Sequence, residues 1–143
     1  MREIKFRGKD CTGEWWYGNL EIKRKVTDKE AYESHCISGI TTSNFTSMID
    51  KNTVGQFTGL KDKNGKEIYE GDIIECLGEN GCKIRHQILF SENNGCLRQY
   101  SLEYVPYCRG YENRGILTQH YIAECGKYVI GNIHDNPELL TNK

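Results

Sequence analysis

The chain has 143 residues, of which 37% are apolar, and its formal net charge is −1 at pH 7. A near-neutral chain lacks the excess of Lys and Arg that binding to phosphate backbones rewards, which argues against a general nucleic-acid binder. A charged N-terminus without a signal-peptide core, seven Cys without a C-x-x-C pair and no apolar run near the ~20 residues that span a bilayer predict a reduced, cytoplasmic protein.

Composition favours strands and tight turns over helices. There are fifteen Gly and nine Tyr, whereas the strong helix former Ala occurs only at Ala31 and Ala123. The apolar content is low for this length. We therefore expect solvated arms, or apolar surface that is buried against other copies of the chain.

The first 50 residues predict a hairpin and an arm. Ile4–Arg7 alternates apolar with charged residues, Cys11–Gly13 is a turn signal, and Trp15–Lys23 is typical of a second strand. The polar stretch 23–34 is compatible with a loop, a long hairpin tip or a short helix over Asp28–Ser34. A strand over Cys36–Thr41 follows.

The rest of the chain alternates short strands with turns. Turn signals occur at Asp62–Gly65, Glu70–Asp72, Glu79–Gly81 and Glu92–Gly95. Residues 106–115 predict a loop, and Ile116–Glu124 is ambiguous. The predicted strands are Thr53–Thr58, Ile73–Leu77, Cys82–Ser91, Cys96–Val105 and Lys127–Ile133.

A short C-terminal helix is indicated at Asn136–Leu140, where Asn136 suits an N-cap and Pro137 the first helical position. Short strands at this spacing predict a mainly β protein. We expect residues 1–50 to form an N-terminal β-hairpin and arm, and residues 51–143 a small antiparallel, barrel-like domain (SH3-like or similar). A single domain is the alternative.

A nuclease-like pattern is formed by Asp10 with Glu21 and Lys23, because two carboxylates can hold a divalent metal while Lys sits beside the attacking water. Glu-x-Lys recurs at Glu3–Lys5, so a charge pair on a solvated strand explains the motif equally well.

A zinc site would use Cys76, Cys82 and His86, completed by Cys108 and His120. Structural zinc ligands usually come in closer pairs, so buried thiols are the simpler interpretation.

Two sequence-adjacent pairs resemble parts of a catalytic dyad. His35 and Cys36 would point to opposite faces of a strand. His134 and Asp135 precede the helix start, where turn and capping chemistry accounts for them. We therefore predict no catalytic residue, no resident metal and no cofactor.

A cluster of Lys5, Arg7 and Lys9 beside Trp15 and Trp16 could stack and neutralise single-stranded nucleic acid. The structural alternative has one Trp in the core, the other in a subunit contact, and the basic face in solvent.

Four stretches together resemble the YopX family of phage and prophage proteins: Arg2–Gly8, Trp15–Leu20, Thr53–Ile74 and Val129–Leu140. The resemblance implies a phage or bacterial origin, a mostly β fold with a barrel-like part, and self-association. The resemblance does not carry a catalytic activity over to this chain. We expect a non-enzymatic oligomeric module that binds host or phage proteins; the alternatives are a single-stranded nucleic-acid-binding accessory protein and, further off, a metal-dependent nuclease.

Overall fold

The computed structural model describes residues 3–39, 45–78, 81–91, 96–101 and 113–140. The chain divides into two compact units, residues 1–57 and residues 58–143. Strand β5, Gly55–Lys61, begins in the first unit and ends in the second. The split expected after residue 50 stays a prediction.

The first unit is an antiparallel sheet in which the strand order is β4-β3-β2-β1-β5. A 3-10 turn at Lys51–Thr53 precedes β5. Its other strands are β1 Phe6–Lys9, β2 Trp15–Val26, β3 Ala31–Gly39 and β4 Thr46–Ile49.

The predicted N-terminal hairpin is confirmed, since β1 pairs with β2 from Phe6 opposite Gly18 to Lys9 opposite Trp15. A close approach fixes the packing of β1 against the rest of the unit. A Cβ added at Gly8 would overlap the side chain of Ile49. The first unit therefore requires glycine at this position.

The second unit contains a five-stranded antiparallel sheet in which the strand order is β10-β9-β8-β7-β11. In addition, β6 lies beside β5. Its elements are β6 Glu67–Tyr69, β7 Asp72–Leu77, β8 Lys83–Ser91, β9 Cys96–Ser101, β10 Asn113–Ile116, α1 Gln119–Glu124 and β11 Tyr128–Asn132.

An apolar cluster forms the core of this unit, and Leu60 and Val129 pack against it. Burial of this cluster is the main favourable contribution to the folding of the unit. Its buried members are Ile68, Ile74, Ile88, Leu117 and Ile122.

Asp62 holds the predicted Asp62–Gly65 turn. Its Oδ1 accepts hydrogen bonds from the backbone N–H groups of Asn64 and Lys66, while Oδ2 accepts one from Val129. Gly65 has a φ of 83°, as an Asn-Gly turn requires. The same carboxylate therefore closes the turn and anchors β11.

The C-terminal helix is one 3-10 turn, Pro137–Leu140. Asn136 directly precedes this turn and its backbone carbonyl accepts a hydrogen bond from the Leu139 N–H, while its side-chain Oδ1 accepts one from the backbone N–H of Asn132. The side chain therefore fastens the turn to the end of β11.

The structure decides two further expectations. Of the three possibilities for residues 23–34, the structure has the long hairpin tip, and no helix forms over Asp28–Ser34. The mainly β, antiparallel fold is confirmed, but in the described residues the sheets stay open, so the prediction of barrel closure is wrong.

The ambiguous stretch Ile116–Glu124 contains a six-residue helix, α1, whose N-cap is Thr118. Within the described ranges, no helix combines the length and hydrophobicity that a membrane span requires. The turn signal at 92–95, most of the loop predicted at 106–115 and residues 102–105 of a predicted strand lie outside the described residues.

Candidate interaction surface

The most exposed part of the first unit is the far end of the β2–β3 hairpin. The two strands pair without interruption from Gly18 opposite Gly39 to Val26 opposite Ala31. Every residue from 21 to 33 is exposed, and we call this segment the arm.

The tip of the arm is a defined turn. The Thr27 N–H donates to the carbonyl of Glu30 at 2.7 Å, and the Thr27 hydroxyl accepts from the Glu30 N–H at 3.1 Å. Thr and Ser hydroxyls commonly close turns in this way. The tip therefore sets the register in which both strands of the arm meet.

Three large apolar side chains of the arm are in solvent. Ile22 is 47% exposed, Val26 78% and Tyr32 52%. Ile22 and Val26 lie on one face, because side chains alternate along a strand. Tyr32 lies opposite Lys25, on the other face. Single exposed apolar residues are ordinary on a monomer, but a group on a projecting hairpin is typical of contact surfaces.

Charged pairs lie between these apolar residues. Arg24 Nε is 2.7 Å from Glu33 Oε2, and Lys23 Nζ is 3.5 Å from Glu21 Oε2. The hydrogen bond from Arg24 lowers the pKa of Glu33. Exposed pairs of this kind add little stability, so their main effect is to give each face of the arm a fixed charge pattern.

The basic–aromatic cluster is used within the first unit. The Arg7 guanidinium carbon lies 4.7 Å from the centroid of the Trp15 ring, and Lys9 Nζ lies 5.4 Å from it. Lys5 Nζ lies 5.1 Å from the Phe57 ring. Arg7 is only 5% exposed, so this basic face is not simply solvated, and Trp15 already has cationic partners.

The other tryptophan, Trp16, donates its Nε1–H to Asp10 Oδ2 at 2.9 Å. Asp10 Oδ1 accepts from the Thr12 hydroxyl, the Thr12 N–H and the Glu14 N–H. Hydrogen bonds from the Thr12 hydroxyl and then from Trp16 lower the pKa of Asp10 to about 2. Asp10 therefore organises the β1–β2 turn.

The other members of the nuclease-like pattern lie on the arm, where Glu21 and Lys23 form an exposed pair. Metal-dependent nucleases usually place carboxylates around a shared ion. In the part of the chain that the structure describes, no three His, Cys, Asp or Glu side chains are placed to hold a metal ion.

The residues considered for zinc have different surroundings. Cys76 and His86 are buried, whereas Cys82 is exposed. His120 is also exposed and pairs with Glu124, one helical turn along α1, at 3.1 Å. The remaining candidate, Cys108, lies outside the described residues.

The two sequence-adjacent pairs have different surroundings. Cys36 is buried, and His35 lies 3.4 Å from Glu33. The backbone N–H groups of His134 and Asp135 both donate to Asn132 Oδ1 at 2.9 Å. Turn chemistry thus accounts for the second pair.

Comparison with known proteins gives one family. The YopX protein family model matches residues 5–141. The chain belongs to the YopX family. The full-length match confirms the resemblance noted from the sequence.

One solved structure shares the fold along the whole YopX chain. It is the crystal structure of protein EF1440 from Enterococcus faecalis, with a TM-score of 0.58 and 25% sequence identity. The alignment covers 99% of this chain and 100% of EF1440. No curated protein matches this chain.

Sequence reasoning missed a polar cluster in the second unit. The carboxylate of Glu75 is buried and accepts from the Tyr128 hydroxyl at 2.6 Å and from Arg85 Nε at 3.1 Å. Burial acts to raise the pKa of Glu75, but the hydrogen bonds from Tyr128 and Arg85, together with the positive charges of Lys83 and Arg85, outweigh it, and the net pKa is lowered. The hydrogen bond to the Glu75 carboxylate in turn raises the pKa of the Tyr128 hydroxyl.

Lys127 forms a second buried polar contact. Its side chain is 1% exposed, and its Nζ lies 3.6 Å from Cys76 Sγ and 4.8 Å from the centroid of the Tyr121 ring. Lys is seldom fully buried. Lys127 directly precedes β11, and Cys76 lies on the neighbouring strand β7, fifty-one residues earlier in the chain. Local sequence patterns do not predict a contact over such a separation.

Proposed function

We propose that this YopX chain is a phage- or prophage-encoded accessory protein of the bacterial cytoplasm, and that it acts as a non-enzymatic, oligomeric protein-interaction module. The arm carries the proposal. It presents Ile22, Val26 and Tyr32 to solvent on a segment, residues 21–33, in which every residue is exposed.

The physical argument is the cost of an exposed arm. Each residue fixed in a strand loses roughly 1–2 kcal/mol of backbone entropy, and residues 21–33 bury little surface in return. A hairpin that buries its apolar side chains against a partner regains part of that free energy through apolar burial. An interaction surface gives a reason for the length of β2 and β3.

The single-stranded nucleic-acid alternative receives less support. Its two tryptophans contact Arg7, Lys9 and Asp10 of the same chain. Stacking of a base would have to displace these contacts, and the net charge of −1 provides little compensating attraction.

Two measurements test the proposal. Light scattering of the full chain over a concentration series should give a mass above that of a monomer. A pull-down from phage-infected cells should capture a partner with the wild-type chain but not with an arm variant, V26D/Y32D, that is folded by circular dichroism. A strict monomer with no arm-dependent partner would contradict the proposal.

A further inference from the structure

We propose that the outer edge of β2 pairs, antiparallel and about a two-fold axis centred on Ile22, with the same edge of a second copy of this chain. This inference rests on the proposed function, because it assigns a location to the oligomer contact. It concerns only β2.

The first observation is the free edge. β1 pairs with β2 only from Trp15 to Gly18, and β3 lies along the opposite side of β2 as far as Val26. Residues 19–26 therefore have a strand partner on one side only, within the part of the chain that the structure describes. A strand edge of this length exposes N–H and C=O groups that can pair with another chain.

The second observation is symmetry. Opposite residues of an antiparallel pair lie on the same face of the sheet. A two-fold axis between identical strands must therefore pass through a residue position rather than between two residues. For the free segment 19–26 the most central positions are Ile22 and Lys23.

The third observation is charge. With the axis at Ile22, Glu21 of each copy lies opposite Lys23 of the other, and the two Ile22 side chains meet. With the axis at Lys23, Glu21 of each copy lies opposite Lys25 of the other, which is also favourable, but the two Lys23 side chains lie opposite each other, whereas the Ile22 axis has no like-charge contact. Opposite charges across a strand pair are favourable and like charges unfavourable, by roughly 0.2–1 kcal/mol each. The charge pattern therefore selects the Ile22 axis.

The flanking residues fit the same register. Leu20 would lie opposite Arg24 of the second copy, and Asn19 opposite Lys25, so no like charges face each other. Lys on a free edge usually blocks pairing. Here the Lys23–Lys23 contact disfavours the neighbouring register, while the Ile22 register brings no like charges together, and unfavourable contacts in the wrong arrangement are one way in which symmetric interfaces achieve specificity.

Charge variants of the full chain test the inference by sedimentation velocity. E21K and K23E each place like charges opposite each other twice per dimer, so each should raise the dimer dissociation constant roughly tenfold or more. The double variant E21K/K23E should return it to the wild-type value. An equimolar mixture of the two single variants should form a heterodimer, because all opposite charges then attract.

The matched control is E14K, which makes the same charge change at an exposed position in the β1–β2 turn, outside β2 and outside the arm. It should leave the dissociation constant unchanged. Circular dichroism and melting temperature should show that all variants fold, as expected for exposed positions.

Three results would overturn the inference, and they differ in what else they affect. An oligomer that neither single variant weakens would exclude the β2 edge and leave the proposed oligomeric module intact. Restoration by E21K/K25E instead of E21K/K23E would place the axis at Lys23. A wild-type chain that is monomeric throughout would contradict both this inference and the oligomeric function.

Discussion

The guanidinium of Arg7 stacks on the indole ring of Trp15, 4.7 Å from its centroid, across the β1–β2 pair. Arg is suited to this contact because its planar, weakly hydrated group retains attraction to an aromatic face when it is buried. Arg7 and Trp15 therefore bind each other, although each could otherwise have contacted a nucleic acid.

We therefore expect weak binding of single-stranded oligonucleotides. Titration of the tryptophan fluorescence at low salt should give a flat curve, because Trp15 already has cationic partners and Trp16 is hydrogen-bonded to Asp10. Steep quenching that disappears at high salt would contradict this expectation and revive the nucleic-acid alternative. A single-strand-binding protein assayed alongside provides the positive control.

Replacement of Asp10 by Ala should lower the melting temperature at neutral pH. The reason is that the N–H and hydroxyl groups of Thr12, the Glu14 N–H and the Trp16 indole N–H all lose their acceptor. The pKa of Asp10 is lowered from 3.8 to about 2. Its contribution to stability is therefore complete above pH 3.8 and is lost as the pH falls through about 2.

The exposed Asp28 provides the matched control, since D28A removes the same charge at the arm tip. Carboxyl chemical shifts followed by NMR should place the Asp10 midpoint near 2. A midpoint close to 3.8 would show that its carboxylate does not hold the turn.

Replacement of Glu75 by Gln should reduce the free energy of unfolding by roughly 1–3 kcal/mol at pH 7, because the amide cannot accept from both Tyr128 and Arg85 as a carboxylate does. The folded-state pKa of Glu75 lies below 4.5. Wild-type stability should therefore fall as the pH drops below 4.5, and E75Q should lose this part of the pH dependence.

Denaturant unfolding over a pH series measures this effect, with E30Q as the exposed control. Y128F and the double variant E75Q/Y128F complete a double-mutant cycle. Additive effects of the two changes would indicate that the Glu75–Tyr128 hydrogen bond does not couple them.

Two replacements of Lys127 can show whether its volume or its charge contributes to the free energy of unfolding. K127M keeps most of the side-chain volume beside Cys76 and Tyr121. It should leave the free energy of unfolding within about 1 kcal/mol of wild type or raise it, since buried charged groups often yield to apolar ones without loss. K127A leaves a cavity and should cost roughly 2–4 kcal/mol.

Chemical denaturation of both variants measures the difference, and circular dichroism checks that each retains the fold. If K127M were as destabilising as K127A, the ammonium group itself would be required.

Local signals predicted much of the fold. The Asn64–Gly65 turn and the β1–β2 hairpin depend on residues that are close in sequence, so their patterns carry the information. The α1 helix was ambiguous because it has only six residues, too few for a helical period to be distinct.

The sequence of the arm was compatible with a loop, a hairpin tip or a short helix. Its residues are solvated on both faces, so no apolar alternation marks them as strands, and only the pairing of β2 with β3 shows the hairpin. The Glu75–Tyr128 and Lys127–Cys76 contacts join residues more than fifty positions apart. Such contacts depend on which strands become neighbours, and barrel closure was mispredicted for the same reason.

The position of β11 has a consequence for synthesis on the ribosome. β7 pairs with β8, which follows it directly, and with β11, which is made about fifty residues later. Until Val129 emerges, the second oxygen of Asp62 lacks its β11 partner and one side of β7 is open. A nascent chain therefore passes through a stage in which a strand of the core sheet is an unprotected edge, when binding by a chaperone would be most useful.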